Sequence, residues 1–425
     1  MIVHGFPPRE TAGTEQHVLQ LSTSLQARGH VVHVLAATRA PGARQYEVRE
    51  EEGITRVVNN LTARRLGDGE QDPVIDRIAT AVAHAFRPDL VHIHHIQFLS
   101  SAMRFTVPMV LTLHDRWGWC AAGGLGLLPD GQRCDGPKPD ICAVCASAWQ
   151  PSPGALAQGM QRTAALLSPL VSPDRLHGIY HRIPVKLRPR PERGVGPPQT
   201  PADAAHRNAT VGALYRSAAV RISPSAHLAA EAEAQGLGPV RVIAHGAPDD
   251  LRATWTGPRN PLVHLGTIAW HKGTDRVVQA WQQAVPSADP ALVLHGPILD
   301  PEAAAGHPVG PVLDRAGVAD LLSRARALVL APRWAENAPL IVLEARAMGC
   351  PVIAPRSGGF PELIADGVDG LLFDPDDPRA LVEALRHAVD TPLPTPRPPP
   401  RLEVQVDAIE AVYRALVPGR AGECA

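Results

Sequence analysis

The chain has 425 residues, more than one hydrophobic core ordinarily organises, so two domains are expected. Hydrophobic residues make up 45% and charged residues 20%, a globular balance, and aromatics at 4% leave the core to Ala, Val, Leu and Ile. A net charge of -1 with a pI near 7.0 excludes a field that would gather nucleic acid or an anionic membrane surface.

The N-terminal "MIVHGFPPRE" has no basic start followed by a long apolar stretch, and no apolar run approaches a membrane span. A cytoplasmic location is therefore expected, with peripheral membrane association through the first helix left open. Early strands read at "MIVHGF", "HVVHVLAA", "DLVHIHH" and "PMVLTLHD". Between the first two, Val18, Leu21 and Leu25 mark one face of a helix that Gly29 closes. "AAVRISPS" and "PVRVIAHG" read as later strands of the same sheet.

Gly and Pro interrupt the pattern over 251–261, the expected linker. A second alternating set follows: "LVHLGTI", a helix from about Asp275, "ALVLHGP", "ALVLAP", a helix with Pro339 in its first turn and Gly349 at its end, "CPVIAPR", "GLLFDP" and "PRALVEALRHAV". The strip "TPLPTPRPPP" reads as an extended spacer, and "QVDAIEAVYRALV" as an amphipathic helix in need of a partner. The divisions are an N-terminal domain over 1–250 with a cysteine-rich insert at about 116–150, a second domain over 258–395, and a last helix over 402–416. Strands alternating with helices predict an α/β protein of two doubly wound domains, with a ligand between the carboxyl ends of their strands.

Several residues on this frame could carry chemistry. Glu336 falls before a helix and Glu344 about two turns inside it; eight residues of helix rise about 12 Å, near the span of a nucleotide sugar from ribose to hexose. Acids at the two ends could accept hydrogen bonds from hydroxyls, while the helix-start N–H groups near Asn337, Ala338, Pro339 and Leu340 meet phosphate. The plainer alternative is a dipole-complementing Glu336 and a partly buried, paired Glu344. Lys272 between strand and helix can reach a diphosphate, or be a solvated lysine beside a glycine turn. Gly13 and Thr14, in a loop before the first helix, would let backbone N–H groups approach a ligand.

His92, His94 and His95 invite a metal reading, yet their place in a strand favours core or cleft-wall residues. Cys120, Cys134, Cys142 and Cys145 lie on a Gly- and Pro-rich excursion ending in C-x-x-C, which fits a structural zinc site. Disulfides or free thiols are the alternative, while Cys350 and Cys424 stand apart. Within 151–208, "HRIPVKLRPRPERG" is locally basic and reads as a solvated loop, or as a contact for a phosphorylated or lipid-linked acceptor.

"ENAPLIVLEARAMGCPVIAPRSGGFPELI" resembles the E-x7-E segment of retaining glycosyltransferases of the GT-B fold, family 4 (glycosyl transferases group 1). "ETAGTEQHVLQLSTSLQARGHVVHVL" is similar to that family's glycine loop and first helix, and "PDLVHIHH" and "VLTLHD" to its next strands. "LGTIAWHKGTDRVVQAW" resembles its donor-phosphate strand and loop, and "ADGVDGLLFDPDDPRALVEAL" the close of its second domain. Some members carry a similar cysteine-bearing insert after the "HD".

The resemblance implies two Rossmann-like domains facing a central cleft, with the last helix crossing back to the first domain. It also implies sugar transfer from a nucleotide-sugar donor (UDP-, GDP- or ADP-sugar) to an acceptor hydroxyl with retention, and no cofactor required for catalysis. Glu336, His114 and Lys272 take catalytic places, with Glu344, Gly13, Thr14, Gly266, Thr267 and the helix-start residues 337–340 around the donor. Thr267 departs from the arginine common in the family, so either a residue such as His271 or Arg333 substitutes or phosphate binding is weaker.

Overall fold

The computed structural model describes residues 1–40, 42–60, 66–149, 151–153, 191–193, 199–248, 251, 260–287 and 289–417. The basic stretch from 181 to 194 lies outside them except for the short strand at 191–193, as do Cys424 and residues 252–259 of the linker.

The first lobe carries an eight-stranded sheet. Its strands are β1 (Ile2–Val3), β2 (Val34–Thr38), β3 (Val48–Glu51), β4 (Ile54–Val58), β5 (Val91–Ile93), β6 (Met109–Thr112), β9 (Val220–Ser223) and β10 (Val240–Val242). A separate two-stranded ribbon pairs β7 (Pro151–Pro153) with β8 (Pro191–Arg193). The spatial order is β10-β9-β6-β5-β1-β2-β4-β3, parallel throughout except that β3 runs against β4. Central strands such as β2 are buried along their whole length, because helices cover both faces of a parallel sheet and every side chain must be apolar or small.

Helices α1 (Gly13–Ala27), α2 (Pro73–Phe86), α3 (Pro139–Trp149), α4 (Pro201–Arg216) and α5 (Ala226–Ala234) accompany it. The start of α2 is fixed chemically: Asp72 accepts from the N–H groups of Val74 and Ile75, and Pro73 occupies the first turn, where no donor is needed. The tripeptide Asn208-Ala-Thr210 lies within α4, where the Thr210 hydroxyl donates to the Gly69 carbonyl at 2.7 Å.

The second lobe is built on six parallel strands: β11 (Leu262–Leu265), β12 (Leu292–His295), β13 (Val309–Gly310), β14 (Ala327–Val329), β15 (Val352–Pro355) and β16 (Gly370–Phe373). Their order is β13-β12-β11-β14-β15-β16. Helices α6 (Thr274–Ala284), α7 (Arg315–Arg324), α8 (Leu340–Ala347), α9 (Phe360–Leu363) and α10 (Ala380–Asp390) connect them. Two apolar clusters form this lobe's core, one on each face of the sheet.

Residues 391–401 then return to the first lobe, where the N–H of Ala247 donates to the Pro400 carbonyl and that of Leu402 to the Ala247 carbonyl, both at 2.8 Å. Helix α11 (Leu402–Leu416) buries Val406, Ile409, Val412 and Tyr413 against Leu21 and Leu25 of α1. Arg28 adds ion pairs to Asp407 and Glu410 at 2.6 and 2.9 Å. Its amphipathic stripe thus finds its partner on the first lobe.

The returning strap is anchored at Asp369, which is 1% exposed. It accepts from the backbone N–H groups of Arg397 and Ala365 and from the Arg397 guanidinium at 2.7 Å. Burial opposes its ionisation, but the Arg397 hydrogen bonds, the backbone donors and nearby Arg346 outweigh that and hold its pKa down to about 2. A depressed folded-state pKa stabilises the fold above the unfolded value and loses that contribution as pH falls through the folded one. Asp369→Asn should therefore lower stability at neutral pH by ~1–3 kcal/mol. The gap from wild type should close as pH drops from 3.8 towards about 2, read by thermal unfolding across that range.

Candidate functional site

In each sheet the strand order reverses at one point, and there the loops diverge to leave a crevice. In the second lobe that point lies between β11 and β14. Gly266 leaves β11 at φ +140°, a conformation that excludes other residues, and Thr267 follows. The chain then makes a 3-10 turn over Trp270–Lys272, and Gly273 lies against the Ala331 carbonyl so closely that a side chain has no room. This contact seats the loop before α6 against the loop leaving β14.

The consequence is the ion pair between Lys272 Nζ and Glu336 Oε1 at 2.7 Å, with the ammonium 4.7 Å from the centre of the Trp334 ring. Arg333 is held elsewhere: its guanidinium meets both Asp275 oxygens at 2.7 Å and lies 4.4 Å over the Trp270 ring. Helix α8 begins at Leu340, so Glu344 stands just over one turn inside it and not two. The shorter interval follows from Pro339, which adopts an extended conformation and forms the boundary instead of the first turn. The Glu344 carboxylate has no hydrogen-bond partner among the described residues, and burial, only partly offset by Arg315, raises its pKa.

In the first lobe the reversal lies between β1 and β5, and histidines crowd there: His4 after β1, His94 and His95 after β5, His114 after β6, His17 on α1. Burial, then the neighbouring rings of His245, His95, His4 and His92, drives the His114 pKa well below the usual imidazole value, so the ring is neutral at physiological pH. Gly13 and Thr14 are not in a loop: they are the first residues of α1. Gly13 has no positive φ and Ala12 takes the cap position without a side-chain bond, so the helix takes in both residues and its first N–H groups lack a side-chain cap.

The two crevices face each other across a seam. Asn337, 7% exposed, donates from Nδ2 to the carbonyls of Leu113 and His114 at 3.2 Å and accepts from the Ser225 hydroxyl. Arg116 donates to the Ala335 carbonyl at 2.7 Å while pairing with Glu231 at 2.8 Å. Glu362 accepts from the N–H groups of Ala226 and His227 at the start of α5. Gly358 and Gly359 rest directly on the backbone of Glu336 and Asn337, with no space for a side chain. Between the lobes a cavity of about 360 Å³ is bordered by Arg116, Arg133, His227 and Arg356.

Glu336, Asn337 and His114 therefore meet at one seam, with Lys272 bonded to Glu336. Glu344, Gly266 and Thr267 lie in the second lobe and Gly13 and Thr14 in the first, and none of them borders the interlobe cavity. Sequence reasoning missed Arg116, Ser225 and Glu362, and missed that the Asn337 side chain, unlike its backbone, is committed to the opposite lobe. The one available signal was the position of Arg116 directly after "HD".

The four cysteines border a second cavity of about 180 Å³, with Cys142 and Cys145 one turn apart on α3. None is in a disulfide, and the N–H of Gly136 donates to Cys134 Sγ at 3.4 Å. Burial and the other three thiols push the Cys145 pKa up to about 12. Of the strand histidines, His92 and His95 have both ring nitrogens engaged, His92 by Tyr413 and Thr112, His95 by Asp115 and the N–H of Gln97.

Two parallel-sheet lobes facing across such a cleft define the GT-B architecture. Over 98% of this chain and 99% of the other, the fold superposes on sucrose-phosphate synthase from Thermosynechococcus elongatus with a TM-score of 0.59 at 17% identity. Anabaena HepE in complex with UDP and glucose superposes at 0.52 and 14% identity over 98% and 97% of the two chains. Models of Glycosyltransferase Family 4 and of Glycosyl transferases group 1 match residues 11–133 and 259–391, together more than half of the sequence. The chain belongs to this glycosyltransferase family.

D-inositol 3-phosphate glycosyltransferase of Streptomyces coelicolor is 39% identical over 74 residues, and that of Corynebacterium glutamicum 43% over 67. Each match spans 16% of the relative's own length and 17% or 16% of this chain. No helix among the described residues is long and apolar enough to cross a membrane.

If Asn337 bolts the lobes together, Asn337→Ala should leave the circular dichroism unchanged and enlarge the radius of gyration in small-angle scattering. The lost bonds are worth ~1–3 kcal/mol to the closed form.

Proposed function

We propose that the protein transfers a sugar from a nucleotide-sugar donor to an acceptor hydroxyl, with retention at the anomeric carbon. The observation that carries this reading is the Lys272–Glu336 ion pair at a strand-end crevice, across the seam from His114 and on the same loop–helix unit as an unpartnered Glu344. A donor would set its ribose hydroxyls at Glu344, its diphosphate at Lys272 and the N–H groups of residues 337–340, and its sugar at Glu336. The Gly266–Thr267 turn borders the phosphates on the other side, and the first N–H groups of α1, at Gly13 and Thr14, approach from the facing lobe.

In this scheme Lys272 exchanges its carboxylate partner for the departing diphosphate. That interaction strengthens as charge grows on the leaving oxygen, which is where stabilisation raises the rate. Glu336, freed from the ammonium, accepts hydrogen bonds from the sugar. His114, being neutral, donates one hydrogen bond to the sugar or its phosphate without adding charge. The acceptor attacks the face that the diphosphate leaves, and a diphosphate oxygen takes the hydroxyl proton. Thr267 removes one cation from the expected clamp, and Arg333, tied to Asp275, supplies no ready replacement, so phosphate binding rests more heavily on Lys272 and the helix-start amides.

The four cysteines would hold a structural zinc beside the acceptor entrance, away from the chemistry. Burial and the neighbouring thiols raise the Cys142 and Cys145 pKa values, so these two carry little thiolate alone, and a cation that binds the thiolates offsets that cost.

A thermal-shift screen with UDP-, GDP- and ADP-sugars should give one stabilising donor class. With that donor, Glu336→Ala should lower kcat at least about 100-fold while the fold persists, and the anomeric proton coupling of the product should report retention. Binding without turnover across a broad acceptor panel would instead mark a nucleotide-sugar-binding protein, and donor conversion without an acceptor would mark an epimerase or hydrolase. Metal analysis should find zinc that is lost in Cys142→Ser and Cys145→Ser; a zinc-free wild type would remove the structural site.

A further inference from the structure

The crowded histidines at the first sheet's reversal point are not equivalent. His92 and His95 are saturated by their neighbours, His4 faces Glu15 at 3.1 Å and His245 bonds Gln405 at 2.9 Å. Three rings remain whose ligand nitrogens all come within 4.8 Å of one another: His17, His94 and His114. We propose that these three form a binding site for a late first-row divalent cation, with zinc the natural occupant.

The spacing fits such an ion. Zinc–nitrogen bonds of about 2.0–2.1 Å in a tetrahedron put the nitrogens about 3.3 Å apart and the ring centres about 5 Å apart. His94 Nδ1 lies 3.3 Å from His114 Nε2. The ring centres form a nearly equilateral triangle, 5.4 Å from His17 to His94, 5.3 Å from His17 to His114 and 5.5 Å from His94 to His114. A hydrogen bond between His94 and His114 accounts for one side of that triangle and leaves the other two without a cause.

Polar satisfaction points the same way. Nε2 of His17 is buried with no hydrogen-bond partner, His17 being only 2% exposed; on His94 the unpartnered atom is Nε2, whereas Nδ1 is the one that faces His114. A buried ring nitrogen without a partner costs about 1–3 kcal/mol, and a cation relieves that cost at the nitrogen it binds. Three imidazoles without a thiolate or carboxylate select zinc, cobalt, nickel or copper over magnesium and calcium. His114 is the ligand that is not fully buried, so exchange would proceed from its side. The ligands come from α1 and from the ends of β5 and β6, so the ion would tie helix to sheet at the cleft wall. The site shares His114 with the proposed transfer machinery, but its test reads metal binding alone, and it is distinct from the cysteine cavity.

The test uses the full-length protein, stripped with a chelator and titrated with Zn²⁺ or Co²⁺, in wild type and in Cys142→Ser/Cys145→Ser. Both should bind an ion whose X-ray absorption shows a shell of nitrogen at about 2.0–2.1 Å, against about 2.3 Å for thiolate sulfur. Binding should raise the unfolding temperature. His17→Gln and His94→Gln should each weaken it by more than the about 10–100-fold typical of losing an outer-shell partner. If either histidine variant fails to fold, the absorption shell of the cysteine variant decides alone. No bound ion in the cysteine variant, a sulfur-only shell in the wild type, or undiminished affinity in the folded histidine variants would overturn the proposal.

Discussion

A single carboxamide organises the cleft. Asn337 spends its donors on two carbonyls at the end of β6 and its acceptor on Ser225, and because it is buried those bonds are made in a medium where losing them is costly. Its backbone immediately follows Glu336 and precedes helix α8. The same residue that spans the lobes therefore fixes where the E-x7-E segment stands relative to His114. Arg116 and Glu362 reinforce the seam from opposite directions, one reaching from the first lobe to a carbonyl of the second, the other offering a carboxylate of the second lobe to a helix start of the first.

Within that frame the two acids differ in what they lack. Glu336 is neutralised by Lys272, whereas Glu344 has burial without a partner. A neutral, preassembled pair costs little to hold in a half-buried crevice. An unpartnered carboxylate is a standing cost that a ligand with hydroxyl donors would relieve.

Much of this was legible from periodicity. The buried central strands have few alternatives, and Val18, Leu21 and Leu25 are the residues α1 uses against its neighbours. The β3–β4 hairpin was not legible because "VREEEGITRVV" follows its first valine with four consecutive charges and so lacks alternation in β3, an exposed edge strand where propensity is weak. The start of α1 moved because Gly13 can enter a helix as readily as a loop. Site residues on regular spacing, such as Glu336 and Glu344, could be read; those defined by reaching across the seam could not, since nothing local distinguishes Arg116 or Ser225. The histidine grouping illustrates the same limit. Proximity along the chain suggested His92, His94 and His95; the His92 and His94 rings do lie 4.0 Å apart, but both nitrogens of His92 and of His95 are taken by other partners, and the three-dimensional set draws one member from each of three elements.

The path of the chain between the lobes has a practical consequence. Residues 391–401 carry it back so that α11 is folded onto α1, and the last described helix belongs to the first lobe. Exchanging nucleotide specificity between homologues by grafting is then a two-junction operation. An insert bounded near 260 and 400 keeps α11 with its native bed, whereas a simple fusion at the linker would seat a foreign helix on Leu21 and Leu25 and expose whatever it failed to cover.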